Sequence, residues 1–122
     1  MAISRKDIRA LLVLAVLGLA MNMAVTWWKD RQDQALGQQI AALAGAGDIR
    51  MLSSVTCVFC GRARQWMAQH GVPFSECFIE RDTVCAATHQ ALLLRGTPVL
   101  LVRGQAQLGF DPGRIGQVLA GS

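Results

Sequence analysis

The sequence predicts an α/β domain of order strand, helix, strand, helix, strand, strand, helix, preceded by a single membrane-spanning helix. Three observations predict it. Residues 10–28 form an uncharged run long enough to cross a bilayer. From residue 48 onward, short runs rich in Val, Ile, Phe and Leu alternate with helical patterns, and Gly and Pro punctuate them. The chain has 122 residues, enough for one small domain and an appendage. Three segments follow: residues 1–28 as anchor, 29–47 as juxtamembrane helix and linker, and 48–122 as the α/β domain.

The run ALLVLAVLGLAMNMAVTWW carries no charge over residues 10–28. As a helix it spans roughly 28 Å, about the thickness of a hydrocarbon core. Asn22 and Thr26 are its only clearly polar side chains, and Trp27 and Trp28 end it where indole rings favour the membrane–water interface. A cleaved signal peptide would fit the basic start, with a cut at Gly18-Leu19-Ala20, but that cut leaves an apolar stub. Ala42-Leu43-Ala44 is a better small-x-small match, yet it lies far beyond the apolar run. A core helix apolar on every face is rare in so small a protein. An uncleaved anchor fits best. Arg5, Lys6 and Arg9 stand before the run against Asp7, while Lys29 and Arg31 after it are balanced by Asp30 and Asp33. The positive-inside rule then puts the N-terminus in the cytoplasm and the rest outside.

After the anchor, Ala35, Leu36, Ile40 and Leu43 make a weak helical stripe that Gly45 and Gly47 break. Residues 49–54 read as a strand and 58–70 as a helix stopped by Gly71. Residues 72–79 make a second strand, and Asp82 or Thr83 caps a helix running to about Leu94. Gly96-Thr97-Pro98 interrupts the chain. Residues 99–103 and 106–110 read as a hairpin across Gly104-Gln105. Asp111-Pro112 opens a last helix, with a capping carboxylate and a first-turn proline. Ile115, Val118 and Leu119 are its buried stripe. The first two strands, joined by a helix, should run parallel with a right-handed crossover.

The chemistry centres on Cys57-Val58-Phe59-Cys60, at a strand-to-helix junction after Thr56. Unpaired N–H groups and the helix dipole stabilise a thiolate at Cys57. Cys60, one turn on, has a sulfur within reach of it, as a dithiol–disulfide couple needs: one thiol attacks and the other resolves. Structural zinc would need two further ligands, and the spacing of Cys77 and Cys85 is too long for a second zinc pair. Cu(I) also suits soft thiolates, so a metallochaperone-like module using the same two thiols is the alternative. All four cysteines follow the apolar run, and an even number on an exported side suits an oxidising compartment. Cys77 closes the second strand and Cys85 lies in the first turn of the next helix, on the sheet edge that carries Cys57. A Cys77–Cys85 structural disulfide, which would close a short loop, fits an exported domain best; a second redox pair relaying electrons is the sharper alternative and two buried thiols the plainer one. The net charge of +4 belongs partly to the N-terminus. No basic–aromatic interleaving suggests nucleic acid.

Together, the Cys-x-x-Cys after the first strand, Gly96-Thr97-Pro98-Val99 before the third, and GFDPGRI at the last helix make residues 48–121 resemble the thioredoxin superfamily, most closely its minimal glutaredoxin form. Proline directly before an apolar strand is otherwise unexpected. The resemblance implies a cis Thr97–Pro98 bond facing the cysteine pair, with its backbone pairing with bound substrate. It implies thiol–disulfide oxidoreductase activity, with Cys57 and Cys60 catalytic and Thr56, Phe59, Thr97, Pro98, Phe110 and Asp111 on the substrate. Glutaredoxins usually carry Cys-Pro-Tyr-Cys and a Gly-Gly motif before Asp. Here Val58-Phe59 and Gly109-Phe110-Asp111-Pro112 stand instead, closer to the redoxins that draw electrons from thioredoxin reductase. No resident cofactor or metal is expected; glutathione is a candidate co-substrate. Protein thiols and disulfides are the expected partners. The apolar run contains no cysteine, so a separate redox partner is needed on the same side of the membrane. The expected location is a bacterial inner membrane, single-pass, with the redox domain periplasmic.

Overall fold

The computed structural model describes residues 2–121 and divides them into two compact units, one ending at Asp33 and one beginning at Gln34. Helix α1 spans Arg5–Leu43. Its start is locked by a reciprocal cap: the Asp7 N–H donates to Ser4 Oγ at 3.3 Å and the Ser4 N–H to Asp7 Oδ2 at 3.1 Å. Through the first unit its side chains are exposed on every face, and the helix is long and apolar enough to cross a membrane. Thr26 Oγ1 donates back to the carbonyls of Asn22 and Met23, which satisfies its polarity within the helix.

The second unit is a four-stranded sheet, β1 (Ile49–Ser53), β2 (Ser75–Phe78), β3 (Val99–Val102) and β4 (Gln105–Leu108), in the order β2-β1-β3-β4. β1 and β2 are parallel; β3 runs antiparallel to β1 and to β4. The helices are α2 (Val58–Gln69), α3 (Thr83–Ala91) and α4 (Pro112–Gly121). Alternation along the strands divides the core between two faces. Ile49, Met51, Leu100 and Val102 pack with Ala63 and Met67 of α2, Ile115 and Leu119 of α4, and Ile40 near the end of α1. Leu52 and Val99 pack with Cys85 of α3, with Leu92 and Leu94 against them.

Four boundaries differ from the sequence reading. The compact unit begins at Gln34, not near Asp48, because Ile40 is fully buried and the Leu36 side chain reaches Gly116 of α4. β2 starts at Ser75 because residues 70–72 close α2: Gly71 is left-handed at φ +65° and the Val72 N–H returns to Met67 O at 2.9 Å. α3 stops at Ala91, before Leu94, as Leu93 turns left-handed at φ +57°. The hairpin turns at Arg103-Gly104, not Gly104-Gln105. Both central residues have positive φ (+47° and +82°), the arrangement that matches the twist of paired strands, and glycine takes the second position at least cost.

Arg103 is also an anchor. Its N–H donates to Asp48 O at 2.7 Å, and its guanidinium reaches Leu119 O, Leu43 O and the Asp48 carboxylate at 3.1–3.3 Å. It ties the ends of α1 and α4 to the start of β1.

Candidate active site

The end of β1 delivers the chain to the site. Ser53 is buried, residues 54–56 turn, and Cys57 caps α2 in an extended conformation (φ −91°, ψ 108°). The Cys57 N–H donates to Ser54 O at 3.2 Å. The Cys60 N–H donates to Cys57 Sγ at 3.0 Å. A first-turn N–H aimed at sulfur, on the positive end of a helix dipole, favours the thiolate form of Cys57. Cys57 is half-buried and Cys60 is fully buried. The two are joined as a disulfide, with Cα atoms 5.3 Å apart.

An open cavity of about 490 Å³ takes Phe59, the residue before Cys60, into its lining, but neither Cys57 nor Cys60 lines it. Phe59 and Arg62 of α2 form one wall, Arg95 and Gly96-Thr97-Pro98 another, and Leu108, Gly109 and Phe110 the third. The Thr97–Pro98 peptide bond is cis. Pro98 is buried, and its carbonyl accepts the Gly109 N–H at 2.8 Å, which joins two walls. Phe59 is 65 % exposed, with the Arg62 guanidinium 5.7 Å from its ring centre. Phe110 is held edge-on by Trp66 at 5.4 Å.

Between the middle of α2 and β2, Arg64 and Glu76 form a two-pronged ion pair at 2.7 Å per contact, and Ser53 Oγ donates to Glu76 Oε2 at 2.7 Å. Burial alone would raise the Glu76 carboxyl; the hydrogen bonds from Arg64 and Ser53, with the Arg64 charge, outweigh it and hold the group below its ordinary value. The second cysteine pair, Cys77 of β2 and Cys85 of α3, is also bonded, so no described cysteine is free. These two are bonded to each other and do not join Cys57 and Cys60 in a four-thiolate set.

Of the residues marked for substrate from the sequence, Phe59, Thr97, Pro98 and Phe110 converge on the cavity. Thr56 and Asp111 do not line it. Thr56 Oγ1 faces Ser54 Oγ at 3.4 Å, and Asp111 Oδ1 accepts the Arg114 N–H at 3.2 Å, so its carboxylate is used in capping α4. Sequence reasoning passed over Arg95, Leu108, the Arg64–Glu76 pair and Glu80. Arg95 directly precedes Gly96-Thr97-Pro98, and that adjacency was a usable signal; the others have no local one.

The glutaredoxin family model matches residues 49–106, a little under half of the chain. No curated protein matches. Among solved structures, a point variant of a thioredoxin-like protein aligns at TM-score 0.55 and 17 % identity, over 61 % of this chain and 96 % of its own. The glutaredoxin-like NrdH-redoxin from Escherichia coli, described as having a thioredoxin-like activity profile, aligns at 0.52 and 24 %, over 57 % and 92 %. Buckwheat glutaredoxin, in complex with glutathione, aligns at 0.51 and 19 %, over 75 % and 90 %. The fold of the second unit is that of the thioredoxin-like proteins. The glutaredoxin match with the Cys57–Cys60 pair it contains supports thiol–disulfide oxidoreductase activity.

Proposed function

We propose that this chain is a membrane-anchored thiol–disulfide oxidoreductase acting on protein substrates, with glutathione as a further candidate. The observation that carries the reading is the asymmetry of the pair: Cys57 half-exposed at the helix cap with an N–H on its sulfur, Cys60 buried one turn behind. In the reduced protein the Cys57 thiolate attacks a substrate disulfide, one substrate sulfur leaves as a thiolate, and a mixed disulfide forms. The Cys60 thiolate then attacks Cys57 Sγ and releases the second substrate thiolate, leaving the Cys57–Cys60 disulfide. Two electrons pass to the substrate; run backwards, the same steps oxidise it. Thr97 offers its backbone to the substrate beside Phe59 and Phe110, while Pro98, whose carbonyl is taken by the Gly109 N–H, fixes the chain there.

The anchor is residues 10–28. The basic cluster Arg5, Lys6 and Arg9 favours a cytoplasmic N-terminus, and a periplasmic redox domain follows in a bacterial inner membrane. With no cysteine in the span, electrons come from or go to a separate partner on that side.

The test equilibrates the full chain, in detergent, across glutathione redox buffers, traps thiols by alkylation and counts them peptide by peptide by mass. Cys57 and Cys60 are expected to titrate together as one two-electron couple. A potential near about −120 mV makes the protein an oxidant and one near about −270 mV a reductant. A pair that never oxidises reversibly overturns the reading.

A further inference from the structure

The turn that presents Cys57 is held from outside its own element. The Ile79 N–H donates to Ser53 O at 2.9 Å. The Val55 N–H donates to Glu80 Oε2 at 3.2 Å, and Ser54 Oγ donates to Glu80 Oε1. Ser54 in turn accepts the Cys57 N–H on its carbonyl. Glu80 therefore stands one residue removed from the cap of α2, although it is 26 positions from Ser54 in the chain.

Glu80 is exposed and belongs to no strand or helix. Unaided, such a side chain would sample many positions, and fixing it costs rotamer entropy. Its backbone is not unaided. Residues 77–85 form a ring closed by the Cys77–Cys85 disulfide, and Glu80 lies within it. The ring is stiffened from inside: the N–H groups of Arg81 and Asp82 donate to Phe78 O, and Asp82 Oδ1 accepts from Val84 and Cys85. On one side the ring is continuous with β2, whose Cys77 lies opposite Leu52 of β1.

We infer that Glu80 is a positioning residue for Cys57 and that the Cys77–Cys85 ring holds it in place, an inference that rests on the thiol–disulfide reading above. Two hydrogen bonds accepted by the Glu80 carboxylate, from Ser54 Oγ and the Val55 N–H, fix the turn at residues 54–56. That turn fixes where Cys57 Sγ sits relative to the Cys60 N–H. The second disulfide then serves the first without exchanging electrons with it.

Charge and position predict opposite signs, which makes the idea testable. A carboxylate near Cys57 opposes its thiolate, so removing charge alone lowers the Cys57 pKa. Releasing the turn weakens the helix-cap stabilisation and raises it. The full chain in detergent is briefly reduced with one equivalent of dithiothreitol, with peptide mass showing that Cys77–Cys85 stays bonded. The rate of Cys57 alkylation by iodoacetamide is then followed against pH. For Glu80→Ala the midpoint is expected to rise by about half a unit or more, with a roughly threefold or greater loss of rate at pH values well below the midpoint. Glu80→Gln, which keeps an acceptor for the Val55 N–H, stays at or below the wild-type midpoint. Cys77→Ala/Cys85→Ala is expected to behave as Glu80→Ala does, and adding Glu80→Ala to it changes nothing further, because both act through one path. A Glu80→Ala midpoint that is unchanged or lowered overturns the inference, as does a wild-type midpoint in the ring-less protein. If Cys57 and Cys60 fail to titrate as a couple in the unaltered chain, the functional reading falls instead, whatever the Glu80 variants do.

Discussion

At the scale of single residues, the Arg64–Glu76 pair has a measurable pH signature. Glu76 is largely buried, at 13 % side-chain exposure, and Arg64 is 43 % exposed, so solvent screens part of their attraction. The Glu76 carboxyl is nonetheless held low, because its hydrogen bonds to Arg64 and Ser53 outweigh the burial that would raise it. A carboxyl whose folded pKa lies below its unfolded value, about 4.3, adds stability at higher pH and loses it as pH falls through the folded value. The unaltered protein is therefore expected to lose stability on acidification below about pH 4.3, as thermal melts at stepped pH would show. Glu76→Gln should cost about 1 kcal/mol at pH 7 and flatten the dependence in that acid window. An unchanged acid slope in the variant would assign the loss to other carboxylates. Nothing in the sequence near residue 76 announces this pair. Ser53, Arg64 and Glu76 meet only because the parallel β1–β2 register sets Met51 opposite Glu76 and Ser53 opposite Phe78.

At the scale of elements, local chemistry wrote most of the boundaries and packing wrote the rest. Asp82 caps α3 through two N–H groups and Asp111-Pro112 opens α4, both readable from residue type. The hairpin turn slipped by one residue in the sequence reading because Arg103 takes a positive φ that a non-glycine residue seldom adopts. The stretch around Leu36 and Ile40 read as a weak stripe because its contacts lie on α4, far along the chain. Gly37 shows the same non-local control. It is buried, and a Cβ there would run into the imidazole of His70, the C-cap of α2. His70 stacks on Trp66 at 4.3 Å, and Trp66 supports Phe110 at the cavity wall. Gly37→Ala should gain the helix preference of alanine, up to about 1 kcal/mol, and lose about 1–3 kcal/mol to overpacking. Gly61→Ala in α2 meets nothing within 4 Å and should stabilise by up to about 1 kcal/mol. Denaturant melts of the two variants should move in opposite directions; a stabilising Gly37→Ala would mean that α1 yields at His70 without cost.

At the scale of the whole molecule, the question is where the folding unit starts. Composition put the boundary at the Gly45–Gly47 break, and the redox elements do begin at β1. The core does not respect that break. Ile40 is fully buried among Ile49, Met67 and Leu119, with Leu36, Ala41 and Ala44 packed around it. Leu43 O also receives the Arg103 guanidinium. A small domain retains only about 5–15 kcal/mol of net stability, and deleting one buried Ile side chain typically costs about 2–5 kcal/mol. Removing the last turns of α1 takes away Ile40 and its neighbours together, and leaves Gly116 and its surroundings open to water. A chain lacking residues 1–33 should therefore unfold cooperatively and keep the Cys57–Cys60 couple at its full-length potential. A chain lacking residues 1–47 should be destabilised by about 2–5 kcal/mol or fail to fold, although it retains every residue of the cavity. Equal denaturation midpoints for the two would show that the end of α1 is a tether resting on the domain. A large gap would show that the segment following the apolar run is itself a structural part of the redox domain.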